Sequence, residues 1–120
     1  MPQITVDHSN SIQFDQEGFA RDLHEAVVAI AGAKPEACKT LFRPSELTAF
    51  GYEDPLDFGH AVVHVTIGLL AGRSDETKVV LTEAVLELLR KHIEDEGDGF
   101  VLHASAEVRD LDPSYRKFER

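Results

Sequence analysis

Between His60 and Leu69 the chain alternates. Ala61, Val63, Val65, Ile67 and Leu69 fall on one side, and His60, Val62, His64 and Thr66 fall on the other. A period of two is the signature of an extended strand with one face against a core. The apolar stretch that continues to Ala71 is broken by His64, Thr66 and Gly68. It is far shorter than the ~20 residues a membrane-spanning helix requires. A strand of this kind needs neighbours, and the same periodicity test finds them along the rest of the chain.

Ile4 and Val6 alternate with Gln3, Thr5 and Asp7, which predicts a first strand over Gln3 to Asp7, followed by a polar loop at Ser9, Asn10 and Ser11. Phe19, Leu23, Ala26, Val27 and Ile30 then recur at helical spacing opposite Arg21 and Glu25. Asp15 caps that helix, Glu17 suits the positive end of its dipole, and Gly32 followed by Pro35 stops it, giving a helix from about Gln16 to Ala31. Cys38 to Phe42 reads as a second strand, and Pro44, Gly51, Asp54 and Pro55 mark a loop after it. Beyond the His60 strand, Ser74 caps a long helix with Asp75 and Glu76 in its first turn. Its stripe is Leu81, Ala84, Val85, Leu88, Leu89 and His92, its outer face carries Glu83, Glu87, Arg90 and Glu94, and Gly97 and Gly99 are expected to end it. A last strand, Val101 to Leu111, sets Leu102, Ala104, Ala106 and Val108 against His103, Ser105, Glu107 and Arg109.

The order is strand, helix, strand, twice. Two right-handed βαβ units predict an α+β fold: a two-layer α/β sandwich in one domain spanning 1–120, with a mixed four-stranded sheet and two helices on one face. The second sheet face, bearing His60, His64, Thr66, His103, Ser105 and Glu107, then has no helix to cover it. It is either wet or covered by other copies of the chain.

Charge and cysteine usage narrow the partners. Twelve basic against 22 acidic side chains leave a formal charge of −10, which repels nucleic acid and anionic membranes. The single cysteine, Cys38, allows neither an intrachain disulfide nor a multi-thiolate zinc site, so a reduced, cytoplasmic setting is expected. The N-terminus lacks the basic region and apolar stretch of a secretion signal.

Few residues invite chemistry. Methionine before a small residue is usually removed, which would make Pro2 an N-terminal secondary amine, and desolvation or nearby cations would keep such an amine neutral and able to take a proton at pH 7. Gly72-Arg73-Ser74 sits where the His60 strand turns into the second long helix. Free N–H groups and the helix dipole can meet the guanidinium fork there to hold a carboxylate, although a tight turn with a surface ion pair accounts for the same residues. Lys39 and Arg43, four apart on the second strand, share a side. They serve either as a cationic patch or as edge charges that discourage aggregation. His60, His64 and His103 have no carboxylate at ligand spacing, so no metal site is assigned; His92 reads as a packing residue and Cys38 as a small buried hydrophobe.

Met1-Pro2 at the first strand, Ser9, Asn10 and Ile12 after it, His64-Val65-Thr66 leading into Leu70-Ala71-Gly72-Arg73-Ser74, and the tail Leu111-Asp112-Pro113-Ser114-Tyr115-Arg116-Lys117 together resemble 5-carboxymethyl-2-hydroxymuconate isomerase, of the tautomerase superfamily. The likeness spans most of the chain and is weakest from Lys34 to Gly59. It implies a homotrimer with its sheets around a central axis, which would cover the orphan face. It also implies a cofactor-independent proton shift in a conjugated dienol acid formed during homoprotocatechuate breakdown, a part of aromatic compound catabolism. Pro2 matches the family's N-terminal base and Arg73 the arginine of its Gly-Arg-Ser segment. A second arginine that binds substrate carboxylate lies on the family's second strand, where this chain has Lys39, with Arg43 as the alternative. The partner implied is a small anionic substrate. Two alternatives stand beside this reading: a tautomerase of another 2-hydroxymuconate- or phenylpyruvate-like substrate, and a non-catalytic trimeric ligand-binding protein of the same fold.

Overall fold

The computed structural model describes residues 1–54, 59–95 and 99–120. The elements run β1 (Gln3–Ser9), α1 (Gln16–Ala31), a 3-10 turn (Pro35–Ala37), β2 (Lys39–Ser45), β3 (His60–Leu69), α2 (Asp75–His92) and β4 (Val101–Asp110). The sheet order is β2-β1-β3-β4. β1 is parallel to β2 and β3 to β4, while β1 and β3 pair antiparallel at the centre. This is the expected mixed four-stranded sheet.

Both helices cover one face. Ile4 and Val6 of β1, with Val63, Val65 and Ile67 of β3, form the floor of a core roofed by Phe19, Leu23 and Val27 of α1 and Leu81, Val85 and Leu89 of α2. All of these side chains are buried, as their periods of two and 3.6 require. Asp15 Oδ1 accepts from the Gly18 N–H at 3.0 Å and Ser74 Oγ from the Thr77 N–H at 3.1 Å, so each cap satisfies one amide of a first helical turn. Gly32 closes α1 at φ 71°, in the left-handed region that glycine enters without penalty. His92 packs edge-on to Phe19 and lies 2.7 Å from Asp22, joining the two helices; this contact holds the Asp22 carboxyl below its usual range.

Several boundaries differ from expectation, and β1 itself runs on through Ser9, a residue expected in the loop. Pro44 lies inside β2, opposite His8, and the strand continues to Ser45. β2 is an edge strand, and a proline is tolerated where an amide faces away from the ladder. α2 ends at His92, with the Ile93 N–H still bonded to Leu89 O and Ile93 packed against the core. Gly99 has a positive φ of 81° but lies well beyond that end, while Gly97 and Pro55 fall outside the described residues. Pro35, expected only as a stop, opens the 3-10 turn.

The other sheet face is polar and partly self-satisfied. His60 Nδ1 lies 3.0 Å from His103 Nε2, His64 Nδ1 lies 2.7 Å from Ser105 Oγ, and the ring of Phe50 stacks on both His60 and His103. A loop aromatic thus covers part of the face that no helix reaches. No helix among the described residues is long and apolar enough to cross a membrane.

Candidate active site

Pro2 is buried at the head of β1. Register decides what surrounds it. Gln3 pairs with Lys39 on one side and Gly68 on the other, so the amino end lies between the start of β2 and the end of β3. Leu70, just past β3, donates its N–H to Met1 Sδ at 3.1 Å, and Leu70 O accepts from Arg73 Nη1 at 3.2 Å. Pro2, Lys39 and Arg73 are therefore gathered at one end of the sheet, although they stand far apart in sequence.

Arg73 reaches that end because Gly72 turns the chain at φ 129°, where a side chain would be strained. Its Nε donates to Ala31 O at 3.1 Å, so the guanidinium satisfies an open carbonyl at the C-terminus of α1 as well as Leu70 O. Nη2 has no partner among the described residues. The fork is held in place by backbone through Nε and Nη1, which leaves Nη2 as a donor.

Lys39 and Arg43 separate cleanly. Lys39 Nζ donates to Ala37 O at 3.0 Å and makes no direct ion pair among the described residues. Arg43 lies four residues on, on the order of 13 Å away at the rise of a strand. There it holds Asp7 in a two-pronged ion pair of 2.8 and 2.9 Å, which keeps the Asp7 carboxyl below its usual range. Arg43 is thus neutralised by its cross-strand neighbour, whereas Lys39 points charge at the amino end.

The α-amine of Met1 is lowered from 8.0 to about 6, first by burial, then by a hydrogen bond with Lys39 and by the charges of Lys39 and Lys117, against the opposing charge of Glu119. Burial and the two lysines favour the neutral form and outweigh the charge of Glu119. The Met1 amine is thereby largely unprotonated at pH 7.

Periodicity gave no role to the tail. Leu111 donates its N–H to Leu69 O at 2.7 Å and fits against Gly68, where a Cβ would stand only 2.7 Å from Leu111 Cδ2. A turn at Asp112 to Tyr115 then lays Tyr115 across the start of β1. Its hydroxyl accepts from Gln3 Nε2 at 3.0 Å and lies 3.4 Å from the Met1 nitrogen. The Asp112-Pro113-Ser114 sequence signals the turn, but nothing local signals where the ring lands.

Of the remaining candidates, Cys38 adjoins Lys39 and senses the charge of the amino end, whereas the histidines of the outer face stay apart from this cluster. Burial pushes the Cys38 thiol up, as expected of an unreactive side chain. The histidines of the outer face bond to one another and to Ser105, Glu53 and Glu107, and no group of three metal-ligating side chains forms among the described residues. A cavity of about 380 Å³ opens at the opposite end of the sheet, between Ile12, Ala61, Ile93 and Leu102. Its charged lining is Glu94 and Asp95, which would oppose an anionic ligand.

No family model matches the sequence, and no curated protein matches it. Solved structures do. A 5-carboxymethyl-2-hydroxymuconate delta-isomerase matches over 99% of this chain and 89% of its own, with a TM-score of 0.76 at 15% identity. A 5-carboxymethyl-2-hydroxymuconate isomerase from Deinococcus radiodurans R1 matches over 98% of this chain and 90% of its own, with a TM-score of 0.68 at 21% identity. A wild-type fused 4-OT solved as a symmetric trimer matches over 92% of this chain and 85% of its own, with a TM-score of 0.69 at 20% identity. The chain therefore has the fold shared by these isomerase and 4-OT structures, as the resemblance in its sequence implied.

Proposed function

We propose that this protein is a cofactor-independent isomerase of the tautomerase type, acting on a conjugated 2-hydroxy-dienol polycarboxylate such as 5-carboxymethyl-2-hydroxymuconate, with Pro2 as its base once Met1 has been removed. The observation that carries this reading is the meeting, at one end of the sheet, of a desolvated amino end with Lys39 and with the Nη2 donor of Arg73. Lys39 and Arg73 hold the carboxylates. Neutral Pro2 takes the proton of the 2-hydroxyl, the 2-oxygen becomes a carbonyl as the double bonds shift, and the same proton is returned to a carbon further along the chain. One O–H bond breaks and one C–H bond forms, with no electrons left to carry elsewhere. Lysine gives a point charge where the resembling family has a fork, so orientation depends more on Arg73.

The working unit in this reading is a cytoplasmic homotrimer. Other copies cover the sheet face of His64, Thr66 and Glu107, and the trimeric assembly of the fused 4-OT supports it. Breakdown of homoprotocatechuate is the setting that such a substrate implies. A second reading, a ligand-binding protein of the same fold without chemistry, would hold if Met1 were retained, because the Pro2 nitrogen would then be an amide and no base.

Ketonisation followed by ultraviolet absorbance tests the proposal, comparing 5-carboxymethyl-2-hydroxymuconate, 2-hydroxymuconate and the enol of phenylpyruvate. The triacid is expected to turn over fastest, and Pro2→Ala to lower its rate by roughly a hundredfold or more, the scale of general-base catalysis. A preference for the monoacid enol moves the substrate to the phenylpyruvate class. No turnover above buffer with any of them moves the protein to the binding role.

A further inference from the structure

Met1 occupies the ground that the proposed reaction needs, and its contacts read as a cast of that ground. The side chain packs against the core at the sheet end, its sulfur takes the Leu70 N–H, and its nitrogen lies within 3.4 Å of the Tyr115 hydroxyl. Removing Met1 uncovers both groups together. Building on the isomerase reading, we propose that the Leu70 N–H and the Tyr115 hydroxyl form the oxyanion site of the reaction, donating to the 2-oxygen of the substrate as it becomes an enolate.

Tyr115 is built for this role. Gln3 Nε2 donates to its oxygen at 3.0 Å, so one lone pair is occupied and the phenolic proton is directed elsewhere. A hydrogen bond into the phenol oxygen also makes its O–H a better donor. The ring cannot swing away easily: the tail is tied at Leu111 to Leu69 O, pressed against Gly68, and closed by the Tyr115 N–H to Asp112 O bond at 2.9 Å. The Leu70 N–H is equally fixed, since the carbonyl of its own peptide unit, Leu69 O, accepts from the Leu111 N–H at 2.7 Å. Donors fixed before the charge develops are the arrangement that stabilises an oxyanion best, because nothing reorganises as the reaction proceeds. Arg73 holds the next carbonyl along, Leu70 O, and so restrains the other side of the same residue.

The test uses the full chain with Pro2 confirmed as its first residue by mass, and compares wild type, Tyr115→Phe and Gln3→Leu in ketonisation of 5-carboxymethyl-2-hydroxymuconate. Tyr115→Phe keeps the ring, and its thermal midpoint should stay with the wild type; a fall in kcat of about a hundredfold with KM within threefold is the expected result. Gln3→Leu, which leaves the phenol present but unsupported, should lose kcat severalfold in the same pattern. If wild type turns over and Tyr115→Phe keeps kcat within twofold, the oxyanion assignment is overturned while the isomerase reading stands. A rise in KM at constant kcat overturns it too, by making Tyr115 a binding contact. A wild type without turnover overturns the isomerase reading, and the oxyanion site with it.

Discussion

The two ends of the central β1–β3 pair lie on the order of 20 Å apart by strand rise, and they handle polar groups in opposite ways. At the Ser9 end, His60 is bonded to His103 and to Glu53, Phe50 lies over both rings, and Ser9 Oγ accepts the Val62 N–H. Most groups there find a complement within the chain, the exception among the described residues being His8 Nε2, which is buried without a hydrogen-bond partner. At the Pro2 end, Lys39 is held by a carbonyl, Arg73 by two carbonyls, and the amino end is desolvated among cations. Lys39 and Arg73 make no direct ion pair among the described residues, while Lys117 beside them is paired with Glu119 at 2.7 Å, in a molecule whose formal charge is −10. A set of polar groups that answer one another stabilises a fold. A set held in place yet left incomplete is fitted to complete itself on a ligand.

Substitutions can break this contrast, and Arg73→Ala should do so most severely. It removes a carboxylate contact and frees the carbonyls of Ala31 and Leu70, so kcat/KM should fall by roughly a hundredfold or more while thermal stability also drops. Arg73→Lys, which keeps charge but loses the fork, should recover little activity. Intact activity in Arg73→Ala would mean that the guanidinium serves only the fold.

Lys39→Ala should raise KM by about tenfold, the roughly 1.4 kcal/mol of one charged contact, with little change in melting. Steady-state kinetics set against Arg43→Ala sharpens the comparison, because both cations lie on one side of one strand. Arg43 is already matched by Asp7 in an exposed pair, so its loss should leave KM unchanged and cost little stability. A larger KM effect at Arg43 than at Lys39 would reverse the assignment of the second cation.

Acid titration gives a further handle. With Met1 in place, the folded chain prefers the neutral amine above about pH 6, while the unfolded chain keeps the proton to about pH 8. The unfolded state binds more protons across that window, so this group makes stability rise with pH from about 6 to 8. Competitive acylation of the α-amine as a function of pH should show a midpoint near 6, moving upward in Lys39→Ala. A midpoint near 8 in the unaltered chain would show an amine in open water.

The smallest effect is expected at the self-satisfied end. His103→Phe should leave kcat and KM within twofold, because His60 and His103 lie at the far end of the sheet from Pro2. A large kinetic change there would carry the site across the molecule.

How much of this was legible in the sequence follows from the range of the forces involved. Periods of two and 3.6 are local, so β1, α1, β3, α2 and β4 could be read from Ile4, Phe19, Val63, Leu81 and Ala106 with their neighbours. Caps are local too, and Asp15 and Ser74 act as expected. Pro44 could not be placed by local rules, because only the sheet order makes β2 an edge. The end of α2 depends on Ile93 meeting the core, a tertiary contact that outweighed the later glycines. Lys39 and Arg43 were equivalent by spacing. Strand register, which puts Asp7 beside one and the amino end beside the other, separated them. Tyr115 was hidden for the same reason: its position depends on Leu111 finding Gly68 across the sheet.

The central claim is that the Pro2 nitrogen does the chemistry, and the most direct measurement changes nothing but the residue before it. Two preparations of the same chain, one beginning at Pro2 and one retaining Met1, each verified by intact mass, are compared for ketonisation of 5-carboxymethyl-2-hydroxymuconate. The account predicts turnover by the Pro2 form and at least a hundredfold less by the Met1 form, whose Pro2 nitrogen is an amide and whose site is filled. Equal rates in the two preparations would contradict it, because a base that works as well when acylated is not the base.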